Sequence, residues 1–150
     1  MIQKPSFHVI GISIRTTNQN EQSSTDVPAL WNRFFAEGIL AKIPNKISNN
    51  LYCIYTDYEK DHTEPYTTLL GCQVENLNEI PEGLIGKTFP EANYEIFTAK
   101  GNLMEVAVYN EWMKIWKADI SRTFVADFEI YDEKSHNPEQ AEVDIFIGIG

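Results

Sequence analysis

Two kinds of hydrophobic spacing take turns along the chain. From Phe7 to Arg15, His8, Ile10, Ile12 and Ile14 alternate with Phe7, Val9, Gly11 and Ser13, a period of two that predicts a β-strand with neither face clearly wet. After the polar stretch Thr16 to Ser24 the period lengthens: Leu30, Trp31, Phe34 and Phe35 recur at the spacing that makes one apolar stripe on a helix. Thr25-Asp26-Val27-Pro28 offers capping side chains and a proline tolerated in a first helical turn, and Gly38 is placed to end that helix. Leu51 to Tyr58 and Tyr66 to Val74 are rich in aromatic and β-branched residues and flank a charged, turn-like segment, so they read as a hairpin.

The same order then starts again. Asparagines, a proline and glycines between Glu75 and Phe89 mark a connector with room for a short strand at Leu84 to Thr88. Tyr94 to Ala99 predicts a strand, Leu103 to about Ala118 a helix, and Phe124 to Tyr131 with Val143 to Ile149 a second hairpin. The segment Tyr58 to Pro65 can be laid over Tyr131 to Pro138. Turns favour such residues anyway, so this overlay gains its weight from the two matching β-α-β-β orders. The expectation is one α+β domain over residues 1–150, with pseudo-repeats at about 1–76 and 77–150. Its sheet is mostly antiparallel, it has two main helices, and its natural concavity is a central pocket where the halves meet.

Composition narrows the functions. A chain of 150 residues buries roughly two-thirds of its unfolded surface, enough for one core. The net charge of −10, from 22 acidic and 12 basic residues without a Lys/Arg cluster, repels a phosphate backbone and argues against nucleic acid as a direct partner. That acidity serves solubility or the steering of cations. No apolar stretch reaches membrane-spanning length, and Met1 to Arg15 has no small-residue cleavage site, so a cytoplasmic protein without a membrane is expected. Cys53 and Cys72 lie in apolar strand-like runs and read as buried free thiols. His8, His62 and His136 have no metal-ligand spacing, and no phosphate-cradling loop or nucleophile elbow is present. Neither metal nor cofactor is expected.

Candidate chemistry gathers on the strand Phe124 to Asp132. Alternation puts Phe124, Ala126, Phe128 and Ile130 on a core face. Val125, Asp127, Glu129 and Tyr131 take the other, which is either solvated exterior or a partly polar cavity wall. Tyr109, Trp112 and Trp116 share one helical face. With Trp31 and Phe35 on the first helix, and Tyr55 and Tyr66 on the first hairpin, they are either core or walls over which a flat cation gains about 0.5–2 kcal/mol per ring. The turns Glu59 to Glu64 and Asp132 to Glu139 read most simply as solvated loops.

Six segments in this order and spacing resemble the GyrI-like effector-binding family. They are Phe7-His8-Val9-Ile10-Gly11-Ile12, Ala29-Leu30-Trp31-Asn32-Arg33-Phe34, the Tyr66 to Gly71 strand, Trp112 to Trp116, Asp127-Phe128-Glu129-Ile130-Tyr131-Asp132 and Val143-Asp144-Ile145-Phe146-Ile147. The resemblance implies a duplicated SHS2-like β-α-β-β fold around an aromatic-lined pocket with an acidic residue, which binds hydrophobic, often cationic small molecules for sensing or sequestration. It points to Glu129 as the acidic group, with Tyr131, Trp112, Trp116, Tyr109, Trp31, Phe35, Tyr55 and Tyr66 as candidate ligand contacts in a monomeric or weakly dimeric binder. If Glu129 lies in the seam, burial raises its proton affinity and a cationic aromatic guest offsets the cost of the unpaired charge. Relatives often carry an AraC-type DNA-binding module, and no such arm is expected before Phe7 or after Ile149. Two other functions follow from the resemblance. One is hydrolysis of strained electrophilic natural products, with Glu129 activating water and Tyr131 donating a proton. The other is an acidic protein-interaction module of gyrase-inhibitor type, using surface clusters such as Glu59 and Asp61.

Overall fold

A computed structural model describes residues 2–102, 107–133 and 140–150. Its elements are β1 (Ile2–Lys4), β2 (Phe7–Thr16), α1 (Ser23–Ala36), α2 (Ile39–Lys42), β3 (Leu51–Thr56), β4 (Tyr66–Val74), β5 (Ile85–Phe89), β6 (Ala92–Gly101), α3 (Ala107–Lys117), β7 (Arg122–Tyr131) and β8 (Ala141–Ile149). Among the described residues the strands form one antiparallel sheet of order β1-β6-β8-β7-β3-β4-β2-β5. Read outward from the central β3–β7 pair, the flanks are β4-β2 and β8-β6. The units β2-α1-β3-β4 and β6-α3-β7-β8 therefore occupy corresponding positions, giving the expected mostly antiparallel α+β layout with two main helices.

Both faces of the sheet are covered. On one, Leu30 and Phe34 of α1 pack with Ile10, Ile12, Leu70 and Cys72, and Trp112 and Ile115 of α3 pack with Ala99, Val143 and Ile145. On the other, Phe7 of β2 and Tyr94 of β6 both meet Phe128 of β7, at ring separations of 5.5 and 5.1 Å. These strands lie near opposite ends of the sheet order, so the sheet curls over its own back, in the sense that strand twist favours. This second core explains why Phe7 to Ser13 shows no wet face. Gly11 and Gly71 sit opposite one another in the β2–β4 pair. A Cβ on Gly11 would lie 2.0 Å from the Leu70 carbonyl oxygen, so this backbone approach requires glycine.

Several boundaries depart from expectation for local reasons. Helix α1 starts at Ser23, which makes Pro28 its sixth residue, not a first-turn proline. Asp26 does not cap the helix; it accepts hydrogen bonds from the Thr16 hydroxyl (2.8 Å) and the Gln22 amide (2.9 Å), tying α1 to the end of β2. Gly38, left-handed at φ 61°, follows α1 as expected, but the short helix α2 starts directly after it. The third strand stops at Thr56 because Asp57 turns the chain at φ 49°. Strand β1, unforeseen, pairs with β6.

The largest departure lies in β7, whose register with β8 shifts between Arg122 and Asp127 and where Phe124 has φ 55°. Such a bulge breaks alternation. Phe124 therefore leaves the expected core face and stands against Tyr58 and His62, at ring separations of 5.6 and 6.3 Å. The proposed overlay of Tyr58 to Pro65 on Tyr131 to Pro138, and the start of the second helix at Leu103, fall partly outside the described residues.

Candidate functional site

A cavity of about 700 Å³ is walled by α1 and α3 and by β3, β4 and β7, within the usual size range of small-molecule sites. The pleat of β7 puts Asp127, Glu129 and Tyr131 on one face. The central register sets Cys53 opposite Glu129 and Leu51 opposite Tyr131. The face divides between the two readings: Val125 is 52% exposed, while the residues further along it turn inward. Glu129 is 2% exposed and Asp127 fully buried, and Glu129 and Tyr131 line the cavity.

The Glu129 carboxylate is held by three uncharged donors. The Tyr55 hydroxyl (2.9 Å) and the Trp112 indole N–H (2.6 Å) both donate to Oε2, and the Tyr131 hydroxyl donates to Oε1 (2.6 Å). Burial pushes the carboxyl above its ordinary range, and the bonds from Tyr131, Trp112 and Tyr55 pull it partly back. Burial also pushes the Tyr55 and Tyr131 hydroxyls well up, so both remain protonated donors. Ring contacts fix these donors: Tyr55 meets Trp112 edge-on at 5.4 Å, and Trp31 meets Tyr131 edge-on at 4.8 Å. The result is an aromatic chamber around one carboxylate whose hydrogen-bond partners among the described residues are all neutral.

A second polar group lies across the Trp112 indole. Arg122 lines the cavity with a side chain 6% exposed, and its Nη2 pairs with Asp127 at 2.8 Å. Asp127 also accepts from the Tyr58 hydroxyl (2.6 Å) and the Gly148 amide (2.9 Å). The guanidinium carbon sits 4.3 Å from the Phe124 ring centre and 6.0 Å from that of Trp112. Arg122 Nη1 reaches His62 Nδ1 at 3.5 Å. His62 stacks on Trp116 at 5.6 Å with the rings 8° from parallel.

Of the residues singled out from sequence, Glu129, Tyr131, Trp112, Trp116, Tyr109, Trp31, Tyr55 and Tyr66 all line the cavity. Phe35 does not. It lies one turn beyond Trp31 on α1, is 62% exposed, and touches only the rings of Trp31 and Phe34 among its aromatic neighbours. The segment Glu59 to Glu64, expected to be a solvated loop, also needs correction, since His62 lines the cavity beside Tyr58. The loop is tied down by the Asn18 amide on the His62 carbonyl (2.8 Å) and the Gln19 amide on the Thr63 carbonyl (2.9 Å). Sequence reasoning missed Arg122 as well, because the bulge hides which way it points.

Among the described residues, no group of three or more His, Cys, Asp or Glu is arranged to hold a metal ion. No described helix is long and apolar enough to cross a membrane. Cys53 and Cys72 are free and buried.

Residues 1–149 match the family of Cass2, described as an integron-associated effector binding protein. Over 143 residues the chain is 29% identical to the putative transcriptional regulator protein YobU of Bacillus subtilis strain 168, covering 93% of this chain and 89% of that one. The structure resembles an integron cassette protein of Vibrio cholerae, with TM-score 0.72 and 21% identity over 97% of this chain and 93% of the other. It also resembles SAV2435 bound to tetraphenylphosphonium, with TM-score 0.80 and 18% identity over 99% and 92%. The fold is thus the GyrI-like one that the sequence resemblance implied, and the family match along nearly the whole chain makes this protein a member of the Cass2 family of integron-associated effector-binding proteins.

Proposed function

We propose that the cavity binds hydrophobic cations, aromatic ones above all, with Glu129 as the charge-pairing group and Trp31, Tyr55, Trp112, Trp116 and Tyr131 as walls. The observation that carries this reading is the Glu129 carboxylate, 2% exposed, which among the described residues accepts hydrogen bonds from the neutral Tyr55, Trp112 and Tyr131. Three donors stabilise the charge but do not neutralise it, and burial still pushes the carboxyl upward. A cation brought into the chamber does neutralise it, and ring faces add to its binding. The tetraphenylphosphonium bound by the structural relative SAV2435 is a guest of this kind. Binding of this sort serves sensing or sequestration of an effector. The net charge of −10 supports a protein that does not itself bind nucleic acid.

The test is a thermal-shift titration with tetraphenylphosphonium and with tetraphenylborate, which match in shape and differ in sign. A ligand of the native state raises its stability by mass action. The cation is expected to raise the Tm in a concentration-dependent way while the anion leaves it unchanged. Equal shifts from both would reduce the cavity to a charge-blind hydrophobic site.

A further inference from the structure

The donors to Glu129 leave its two oxygens in unlike positions. Oε2 accepts from both the Tyr55 hydroxyl and the Trp112 indole N–H, and an indole can only donate, so that oxygen stays an acceptor. Among the described residues Oε1 meets the Tyr131 hydroxyl alone, at 2.6 Å, and a hydroxyl can turn to accept. A proton on Oε1 therefore breaks no hydrogen bond; it reverses one. Nothing nearby holds the carboxyl ionised. From β3 come Cys53 and Tyr55, whose thiol and hydroxyl burial pushes well up, and from β4 comes Tyr66, pushed up to about 12, so all three are uncharged at neutral pH. Tyr131 is likewise pushed up, and Ile145 of β8 stands opposite Glu129 in the sheet. The cavity-lining residues of α1 and α3 bring no acid or base apart from the Tyr109 phenol. Arg122 lies across the Trp112 ring with its charge balanced by Asp127. The exposed Glu21 and the half-buried His62 complete the titratable lining.

We infer that the cavity exchanges one proton for one cation: in the guest-free protein Glu129 is a carboxylic acid with its proton between Oε1 and the Tyr131 hydroxyl, and an entering cation drives that proton out to solvent. This rests on the cation reading and adds its regulation. The Oε1–H bond breaks, its electron pair stays on the carboxylate, and the proton passes to the buffer, so the chamber gains no net charge when the guest enters. That avoids the cost of an unpaired buried charge in both states. The direction agrees with burial, which favours the acid form of Glu129 against the pull of its three hydrogen bonds. A bound cation favours the carboxylate instead. Affinity therefore climbs with pH while the guest-free group is an acid, about tenfold per pH unit for one linked proton, and levels off once that group has ionised. Acidification releases the guest. His62 acts in the same sense by another route, since its protonated ring would add positive charge to the cavity wall. Burial and the Arg122 charge hold it toward the neutral form, in which Nδ1 can accept from Arg122 Nη1.

The experiment is titration calorimetry of tetraphenylphosphonium into the full chain at about pH 6.5, in phosphate and in Bis-Tris, two buffers that take up a proton with different heats. The difference between the two measured enthalpies counts the protons released. Wild type is expected to release close to one proton per guest, and in a series between about pH 5.5 and 8.5 to bind more tightly as pH rises before levelling off. Glu129→Gln should lose both the release and the slope, whereas His62→Gln should keep both, whatever its absolute affinity. Should a variant fail to fold, infrared difference spectra of the wild type give a second readout: the carbonyl stretch of a protonated carboxyl, present without guest, is expected to vanish when tetraphenylphosphonium binds. Binding that depends on Glu129, yet releases no proton and is level in pH, overturns the exchange and leaves the cation reading standing. A slope that disappears in His62→Gln belongs to the imidazole and overturns the exchange as well. No binding of tetraphenylphosphonium at any of these pH values removes the cation reading and this inference with it.

Discussion

Replacing Asp127 by asparagine removes one charge from a fully buried polar group. Asp127 accepts from Arg122 Nη2, the Tyr58 hydroxyl and the Gly148 amide. An asparagine can keep its carbonyl oxygen on the Gly148 amide, since Oδ1 already receives that bond. Its amide then replaces Oδ2 and presents two N–H groups to the Arg122 and Tyr58 donors. The hydroxyl can rotate and accept, but the guanidinium cannot, and its charge is left buried beside a neutral amide. Leaving one member of a buried ion pair uncompensated costs about 3–5 kcal/mol, at least about a fifth of a typical domain's stability of roughly 5–15 kcal/mol. At about 2–4 °C per kcal/mol for a chain of this size, the expected fall in Tm is about 6–20 °C. Urea unfolding checks this directly, with a lower midpoint and an unchanged slope. The double variant Asp127→Asn with Arg122→Met removes both charges and is expected to cost less than Asp127→Asn alone, because the stranded guanidinium is gone. A single variant that loses less than about 1 kcal/mol, or a double variant whose losses simply add, would refute the claim that Asp127 balances the buried guanidinium charge.

Three further outcomes follow from particular residues. Glu129 has a raised proton affinity in the fold relative to the ordinary 4.5. Its favourable contribution is therefore fully present below about pH 4.5 and is lost as pH rises through the raised value. The ligand-free Glu129→Gln variant should gain in urea midpoint over wild type at pH 7.5 and not at pH 4, and an equal difference at both values would contradict the shift. Gly11→Ala places a Cβ 2.0 Å from the Leu70 carbonyl oxygen, so it should destabilise by about 1–3 kcal/mol or more through forced separation of β2 and β4; an unchanged denaturation midpoint would mean that the strands have room to part. Phe35→Ser, at a side chain 62% exposed and outside the cavity, should change stability by no more than about 0.5 kcal/mol and leave tetraphenylphosphonium affinity as it was, which calorimetry checks.

The alternating and helical periods were enough to read the strands other than β1, the two main helices and the two hairpins, because, the bulged start of β7 apart, their apolar patterns agree with the faces they bury. Trp112, Trp116 and Tyr109 were legible as one helix face for the same reason. Glu129 was not decided by periodicity. Alternation put it opposite the core, and only the closing helices α1 and α3 make that side an interior. Phe35 misled because it shares the i, i+4 spacing of Trp31 and yet lies past the edge of what α1 covers. The bulge at Phe124 is a backbone event with no signature in side-chain polarity, so it concealed Arg122, and with it the ion pair to Asp127. His62 sits in a turn of charged residues whose composition says surface, while its position is set by Asn18 and Gln19, more than 40 residues earlier.

The central claim is that a buried carboxylate, not shape alone, selects the guest. Titration calorimetry of tetraphenylphosphonium into wild type and Glu129→Gln, both checked for a native fold, tests it most directly. The glutamine can keep its carbonyl on Trp112 and Tyr55 and donate to a turned Tyr131 hydroxyl, so the chamber's shape survives while its charge goes. Removing one partner of a buried charge pair costs about 2–5 kcal/mol, so the account predicts an affinity at least about 30-fold weaker in the variant. Affinities within twofold of each other would contradict it.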